Sequence, residues 1–335
     1  MKVALLHDQV PSGAPPDQVD SLVQATEIAG ILAGLGHGVV YIPFRGKPED
    51  TECELDRVRP DIVFNLVESP LGKGRLIHLA PLLLERMGLT FTGAGTRAML
   101  LSSNKLMAKR LMKEHGLPTP AWFNQGDCAE LPVPAGRWII KSIWEHASIG
   151  LDEDSVVPGL STRELEQEMD KRRGRLGGEC FAERFVEGRE FNLSLLASDK
   201  GVQVLPPAEI IFQGYAQDKP KVVGYKAKWD SESYEYHHTP RKYDFPPRDR
   251  IMLQELTALS LRSWRLFGLR GWARVDFRVD GDGGPWILEI NANPCLALDA
   301  GFMAAARQAG LEPAQVVARI LTDGFECIGP KNQAA

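Results

Sequence analysis

The sequence predicts a multidomain α/β protein, and three observations predict it. Strand-like and helix-like apolar runs alternate through the first hundred residues. The length of 335 residues exceeds one ordinary domain of roughly 100 to 200. A strictly alternating hairpin stands in the last third of the chain. Val3-Ala4-Leu5-Leu6 reads as a buried strand, and the turn-rich Pro11 to Pro16 leads into Leu22, Ala25, Ala29, Leu32 and Ala33 at helical spacing, stopped by Gly34 and Gly36. Val39 to Ile42 and Ile62 to Leu66 supply two further strands, and strand–helix–strand alternation is the signature of a parallel sheet with helical crossovers. Gly93-Ala94-Gly95 is half of a dinucleotide fingerprint, and without its third glycine it reads as a structural turn.

Lys105 to Glu114 forms a Lys-rich helix closed by Gly116 and Pro118, after which Ala121 to Phe123 and Trp138 to Lys141 read as strands. Further strands are expected at Phe191 to Ala197, Val202 to Leu205 and Val222 to Trp229. A helix is expected over Met252 to Phe267, and a helical C-terminus over Phe302 to Leu321 with a break at Gly310 and Pro313.

Hydrophobic residues make up 44% and charged residues 25%, which excludes collagen-like and disordered classes. Lys and Arg total 39 against 44 Asp and Glu, so no basic excess exists for nucleic acid or an anionic membrane, and neither is expected as a partner. Cys53, Cys128, Cys180, Cys295 and Cys327 are odd in number, scattered and without a CxxC pair, which argues against a disulfide framework or structural zinc. With no signal-peptide core or membrane span legible, a cytoplasmic protein acting on small molecules is expected.

The strongest chemistry lies in the hairpin. Arg274, Asp276 and Arg278 share one face of a strand whose other face is Val275, Phe277 and Val279. Alternation in the next run places Ile287, Glu289 and Asn291 together, across the Gly-rich turn Asp280 to Pro285. If Asp280 pairs with Pro285, Asp276 faces Glu289 and Arg274 faces Asn291. Opposed carboxylates repel unless a cation lies between them, and carboxylate and amide oxygens are ligands that Mg²⁺ prefers. A solvated hairpin face is equally consistent with the hairpin alone. Lys141 projects from a buried run, followed by the small-residue loop Glu145 to Gly150, whose amides suit an anion-binding nest; Glu183 and Glu190 flank a turn.

In order, Lys105 before Gly116-Leu117-Pro118-Thr119-Pro120, Ile139-Ile140-Lys141, Glu145 to Gly150, Glu183 to Glu190, Tyr225-Lys226-Ala227-Lys228-Trp229, Gly271 to Asp276 and Leu288-Glu289-Ile290-Asn291 resemble the ATP-grasp superfamily, and more narrowly the D-alanine–D-alanine ligase family. The resemblance is strong from Lys105 onward and weaker before it. It implies three domains: an N-terminal parallel-sheet α/β domain over residues 1–104, a small central α+β domain over 105–186 and a C-terminal antiparallel-sheet domain over 187–330. It implies that Lys105, Lys141 and Lys228 contact ATP phosphates under a lid carrying Ser148. Glu183 and Val186 would meet the adenine, Phe185 would line its pocket and Glu190 would bind the ribose. Asp276, Glu289 and Asn291 match ligands of two Mg²⁺ ions, Mn²⁺ being an alternative, and Arg274 matches the arginine that steadies the acyl-phosphate. The activity implied is ATP-dependent ligation of a small carboxylate to an amine, with a homodimer as the resembled assembly.

The sequence also departs from that family. The segment holding the first substrate's amino group reads Pro15-Pro16-Asp17-Gln18-Val19-Asp20-Ser21, without the family's glutamate. The serine and tyrosine that accompany it are Ala147 and Trp229, and the family's His-Gly is Glu68-Ser69. Cys295 follows the metal ligands where a glycine is usual, and Ala300 replaces a substrate-binding serine. Substrates other than two D-alanines are therefore expected, with Glu68, Trp229 and Cys295 as candidate pocket residues and Glu68 a partner for a substrate ammonium. The alternatives are a genuine D-alanine–D-alanine ligase and a non-catalytic ATP-binding regulatory protein.

Overall fold

The computed structural model describes residues 1–45, 47–125 and 136–326. Cys128 and Cys327 lie outside the described residues; Cys53, Cys180 and Cys295 are free thiols. Strand β1 (Lys2–Asp8), helix α1 (Pro16–Gly34), β2 (Gly38–Phe44), α2 (Pro48–Val58) and β3 (Ile62–Asn65) form a parallel sheet in the order β2-β1-β3. Helices α3 (Leu79–Arg86), α4 (Thr96–Ser103) and α5 (Lys105–Glu114) follow. The parallel sheet needs cover on both faces. Ala4, Leu6, Ile42 and Val63 meet Leu83 and Leu84 of α3 on one side, while Val3, Leu5, Ile62 and Phe64 meet α1 and the C-terminal helices on the other.

A second sheet, ordered β4-β7-β5-β6, contains β4 (Trp122–Phe123), β5 (Trp138–Ser142), β6 (Val156–Val157) and, after helix α6 (Thr162–Arg172), β7 (Cys180–Arg184). Helix α6 starts on a capping box in which Ser161 and Glu164 bond each other's backbone amides, the local reason for a helix at this point. A third sheet carries β8 (Arg189–Ser198), β9 (Gly201–Val204) and β10 (Ala208–Ile210). Helices α7 (Tyr225–Trp229) and α8 (Tyr234–His237) precede β11 (Arg241–Lys242). Helix α9 (Arg250–Phe267) leads to β12 (Trp272–Val279) and β13 (Pro285–Asn291), and α10 (Gly301–Gln308) and α11 (Pro313–Glu326) end the described chain. The order β11-β10-β8-β12-β13 is antiparallel throughout, with β9 pairing β8.

Trp272 joins the N-terminal and C-terminal sheets. Its ring stacks on Phe64 at 6.0 Å, and its indole N–H donates to the Pro294 carbonyl at 2.8 Å. A methyl at Gly93 would approach that ring to 3.0 Å, so the glycines of residues 93–95 serve close packing, as the turn reading expects.

Two expectations need correction. Residues 222–224 are irregular and Tyr225–Trp229 is helical, so Val222 to Trp229 is not a strand; the apolar Val222 and Ala227 are buried five positions apart, which fits a loop entering a helical turn better than alternation. In the hairpin, Val279 rather than Asp280 pairs with Pro285. Asp280 closes the turn, its carboxylate accepting from the Gly284 amide and the Trp286 indole at 2.7 Å each. A β-bulge between Asp276 and Phe277 then adds one residue on β13, which restores the expected pairs Asp276–Glu289 and Arg274–Asn291. The bulge also breaks alternation: Ile287 is in the core with Ile290, and Leu288 joins Glu289 at the cavity.

Candidate active site

One cavity of about 550 Å³ opens between the second and third sheets and reaches the N-terminal domain, a size suited to a small-molecule ligand. Strand β12 points Arg274, Asp276 and Arg278 into it because their neighbours Val275, Phe277 and Val279 are buried in the core. Of the residues predicted from sequence, Lys141, Ser148, Glu183, Phe185, Val186, Glu190, Lys228, Arg274, Asp276, Glu289, Asn291, Glu68, Trp229 and Cys295 all line this space. Lys105 does not. Its ammonium is buried and donates to the Glu145 carbonyl at 2.7 Å, so it braces the stem of the loop instead of forming the cavity wall.

Charge is distributed in opposed sets. Arg274 grips Asp276 through Nε and Nη2 at 2.7 and 2.8 Å, and Asn192 adds a bond to Oδ1 at 2.8 Å. Burial would raise the Glu289 carboxyl, yet Lys105, the His146 hydrogen bond and Lys228 together hold it well below its usual range. Burial lowers the Lys228 ammonium, and neighbouring Arg274 adds to the effect. Glu183 is 1% exposed and lies between Lys109 and Lys141, each 2.5 Å away. Burial opposes ionisation there, but the two cations still keep its carboxyl below the usual range.

The loop Glu145 to Gly150 crosses the cavity. Ala147 and Ser148 both have positive φ, 56° and 60°, a strained pair for side-chain-bearing residues. Ser148 Oγ donates to the Val223 carbonyl at 2.8 Å, and the Trp229 indole donates to the Ala147 carbonyl at 2.9 Å. Tyr225 Oη donates to Asp17 at 2.7 Å, tying α7 to α1. The segments that lack the family's glutamate, serine and tyrosine therefore still bond one another through different atoms.

The far end of the cavity is acidic. Asp17, Asp20 and Glu68 line it, and Gln24 Nε2 donates to Glu68 at 2.9 Å. Asp8 accepts the backbone amides of Glu68 and Ser69 at 2.7 and 2.9 Å. Burial raises the Glu68 carboxyl to about 8 and that of Asp8 to about 6. The Cys295 thiol donates to Asp20 at 3.2 Å, and burial beside Glu68 and Asp20 pushes its pKa well above the usual value, which removes it as a nucleophile.

Asn192, His146, Lys109 and Asp17 were not assigned roles from the sequence. His146 and Asp17 stand in motifs already singled out, but their partners lie far along the chain. Arg278, also unassigned, was legible as the third member of the Arg274–Asp276 face; it pairs with Glu190 at 2.7 Å and lies over the Phe185 ring.

The family described as D-ala D-ala ligase C-terminus matches residues 128–322. The D-alanine–D-alanine ligase of Bordetella pertussis is 32% identical over 246 residues, 72% of each chain. The chain belongs to the D-alanine–D-alanine ligase family. The enzyme of that name from Moorella thermoacetica is 29% identical over 345 residues, covering 97% of this chain and all of the relative. In fold, the chain is similar to the D-alanine–D-alanine ligase of Bacillus anthracis complexed with ATP, with a TM-score of 0.73 at 17% identity over 98% of both chains. The fold is thus that of the ATP-grasp ligases, and family membership makes the chain an enzyme that forms carbon–nitrogen bonds, setting the regulatory alternative aside. The shared name of these relatives favours the alternative of a genuine D-alanine–D-alanine ligase over the expected divergent substrate pair. No helix among the described residues is long and apolar enough to cross a membrane.

Proposed function

We propose that this ligase joins the carboxylate of one amino acid to the amine of another with conversion of ATP to ADP and phosphate, and that D-alanine supplies both. The observation that carries the reading is the single cavity in which Lys141, Lys228 and Arg274 face Asp276, Glu289 and Asn291. The choice of D-alanine rests on the names of the relatives. Domains spanning 1–104, 105–186 and 187–330 remain the division we propose, with the nucleotide between the second and third.

Two carboxylates and an amide oxygen are hard donors. Among the described residues no group of three His, Cys, Asp or Glu could hold a metal, but Mg²⁺ needs only one or two carboxylates when phosphates and water complete its shell. The set therefore fits, and Asp276, Glu289 and Asn291 are the residues that would hold magnesium. When bound, magnesium neutralises charge on the phosphates. Lys141 and Lys228 bind phosphate oxygens, and Val186, Phe185 and Leu288 enclose the adenine. Glu190, oriented by Arg278, takes the ribose hydroxyls.

The first substrate's carboxylate attacks the γ-phosphorus, forming an acyl-phosphate and releasing ADP. Arg274 offsets the charge on the acyl oxygens, and the loop carrying Ser148 excludes water. The neutral amine of the second substrate attacks the activated carbonyl; phosphate leaves and the amine nitrogen loses a proton.

A second reading, a pair other than two D-alanines, is favoured by the acidic end of the cavity and by Trp229, whose indole already bonds Ala147. Mg-ATP with D-alanine, then with pools of other D- and L-amino acids, tests both: ADP release with D-alanyl-D-alanine by mass spectrometry supports the first, and turnover only with another pair replaces it by the second.

A further inference from the structure

Lys109 stands outside the cavity, 1% exposed, yet it shares a carboxylate with a residue on the cavity wall. A lysine ammonium has three donors. Lys109 donates to Thr119 Oγ1 at 2.8 Å and to the Pro120 carbonyl at 3.1 Å, and its ammonium forms an ion pair with Glu183 Oε2 at 2.5 Å, so it is engaged within the protein and buried away from a ligand. Lys141, 15% exposed and on the cavity wall, has one protein partner among the described residues, Glu183 Oε1 at 2.5 Å, and a lysine ammonium carries two further donors. Thr119 passes the contact on, its hydroxyl donating to the Ile287 carbonyl at 3.0 Å, beside the bulge that sets Glu289.

We propose that Lys109 is a positioning residue that supplies the buried countercharge for Glu183 and thereby leaves the charge and donors of Lys141 available to the phosphates of ATP. This rests on the ATP reading above. Without Lys109, a buried carboxylate would have Lys141 as its sole cation, and an uncompensated buried charge is costly enough to hold that lysine in place. Lys141 would then be drawn toward Glu183 and away from the phosphates. On the ATP reading Lys141 meets the phosphates, so the effect is expected on ATP and not on adenosine.

Binding of Mg-ATP and of adenosine to the full chain, measured by calorimetry, tests the assignment. In Lys109→Met, ATP affinity falls roughly tenfold or more, the scale of a lost hydrogen bond to a charged group, while adenosine affinity stays within about twofold. Lys141→Met gives the same selective loss. The double variant Lys109→Met/Glu183→Gln, from which both charges are gone, recovers ATP affinity. An equal loss for ATP and adenosine, an unchanged ATP affinity, or no recovery in the double variant overturns the proposal. Should Lys109→Met not fold, Glu183→Gln alone decides: with its carboxylate removed, the ratio of ATP to adenosine affinity stays or rises, and a fall overturns the proposal. If the unaltered chain binds adenosine no more weakly than ATP, the ATP reading itself fails.

Discussion

His146 Nδ1 lies 2.9 Å from Glu289 Oε1, although 143 positions separate the two residues. The loop that crosses the cavity is thus fastened to the hairpin residue proposed to hold magnesium. Lys105 braces the same loop from behind, through the Glu145 carbonyl, and Trp229 and Ser148 fasten its tip. These bonds offset the left-handed backbone at Ala147 and Ser148, a strain of about 1–3 kcal/mol per residue.

A partner that orients a metal ligand shows itself in metal dependence. His146→Ala is expected to lower activity roughly 10- to 100-fold and to raise the magnesium concentration needed for half-maximal rate. Steady-state rates against magnesium concentration check this. A loss of rate with unchanged magnesium dependence would assign His146 to loop anchoring alone.

Gly150 ends the loop at φ 67°, and a Cβ there would lie 2.4 Å from the Arg175 carbonyl. Gly150→Ala therefore meets both a backbone penalty and a clash with a main-chain atom. The expected cost is about 1–3 kcal/mol by chemical denaturation, accompanied by faster proteolysis within 145–150. Wild-type stability in this variant would mean that the loop moves freely as one unit.

The sequence made the alternating strand β12 legible because one face is wholly apolar, and this fixed Arg274, Asp276 and Arg278 on the cavity side. It did not reveal the bulge, since an inserted residue leaves no mark on a run as apolar as Trp286 to Ile290. The pairing of Asp276 with Glu289 agrees with expectation because two departures cancel: the pairing at the turn is shifted by one residue, and the bulge shifts it back. Lys109 was hidden for another reason. Its period on α5 resembles a solvated face, and only the tertiary placement of Glu183 explains a buried lysine. The likeness of residues 225–229 to a strand failed because a five-residue helix gives too little periodicity to recognise.

Trp272 makes a quantitative test of the junction between sheets. It is fully buried, stacked on Phe64 and bonded to Pro294. Trp272→Ala removes the largest side chain at that junction and is expected to cost about 3–5 kcal/mol. Thermal and urea unfolding should show the N-terminal and C-terminal sheets losing stability together. Two separated transitions, one unaltered, would show that the N-terminal sheet is held chiefly by α1 and α3.

Glu68 gives a pH-dependent signature whose sign follows from its environment. Burial raises its carboxyl from 4.5 to about 8, Asp8 and Asp20 act in the same direction, and the Gln24 hydrogen bond and Arg274 oppose them. The folded state therefore binds this proton more tightly than the unfolded chain does. Its stabilising contribution is complete below about 4.5 and is lost as pH rises through about 8. Glutamine mimics the neutral acid at every pH, so Glu68→Gln should melt with the wild type at pH 5 and above it at pH 9. A gap that does not change with pH would mean that Glu68 ionises normally. The same proton reports on the substrate. An ammonium docked beside Glu68 favours the carboxylate, so amino-acid binding at pH 7 should release a proton, seen as a dependence of the calorimetric heat on the buffer's ionisation enthalpy. Release with D-alanine that disappears in Glu68→Gln would put the substrate's amino group at Glu68, and binding without release would put it elsewhere in the cavity.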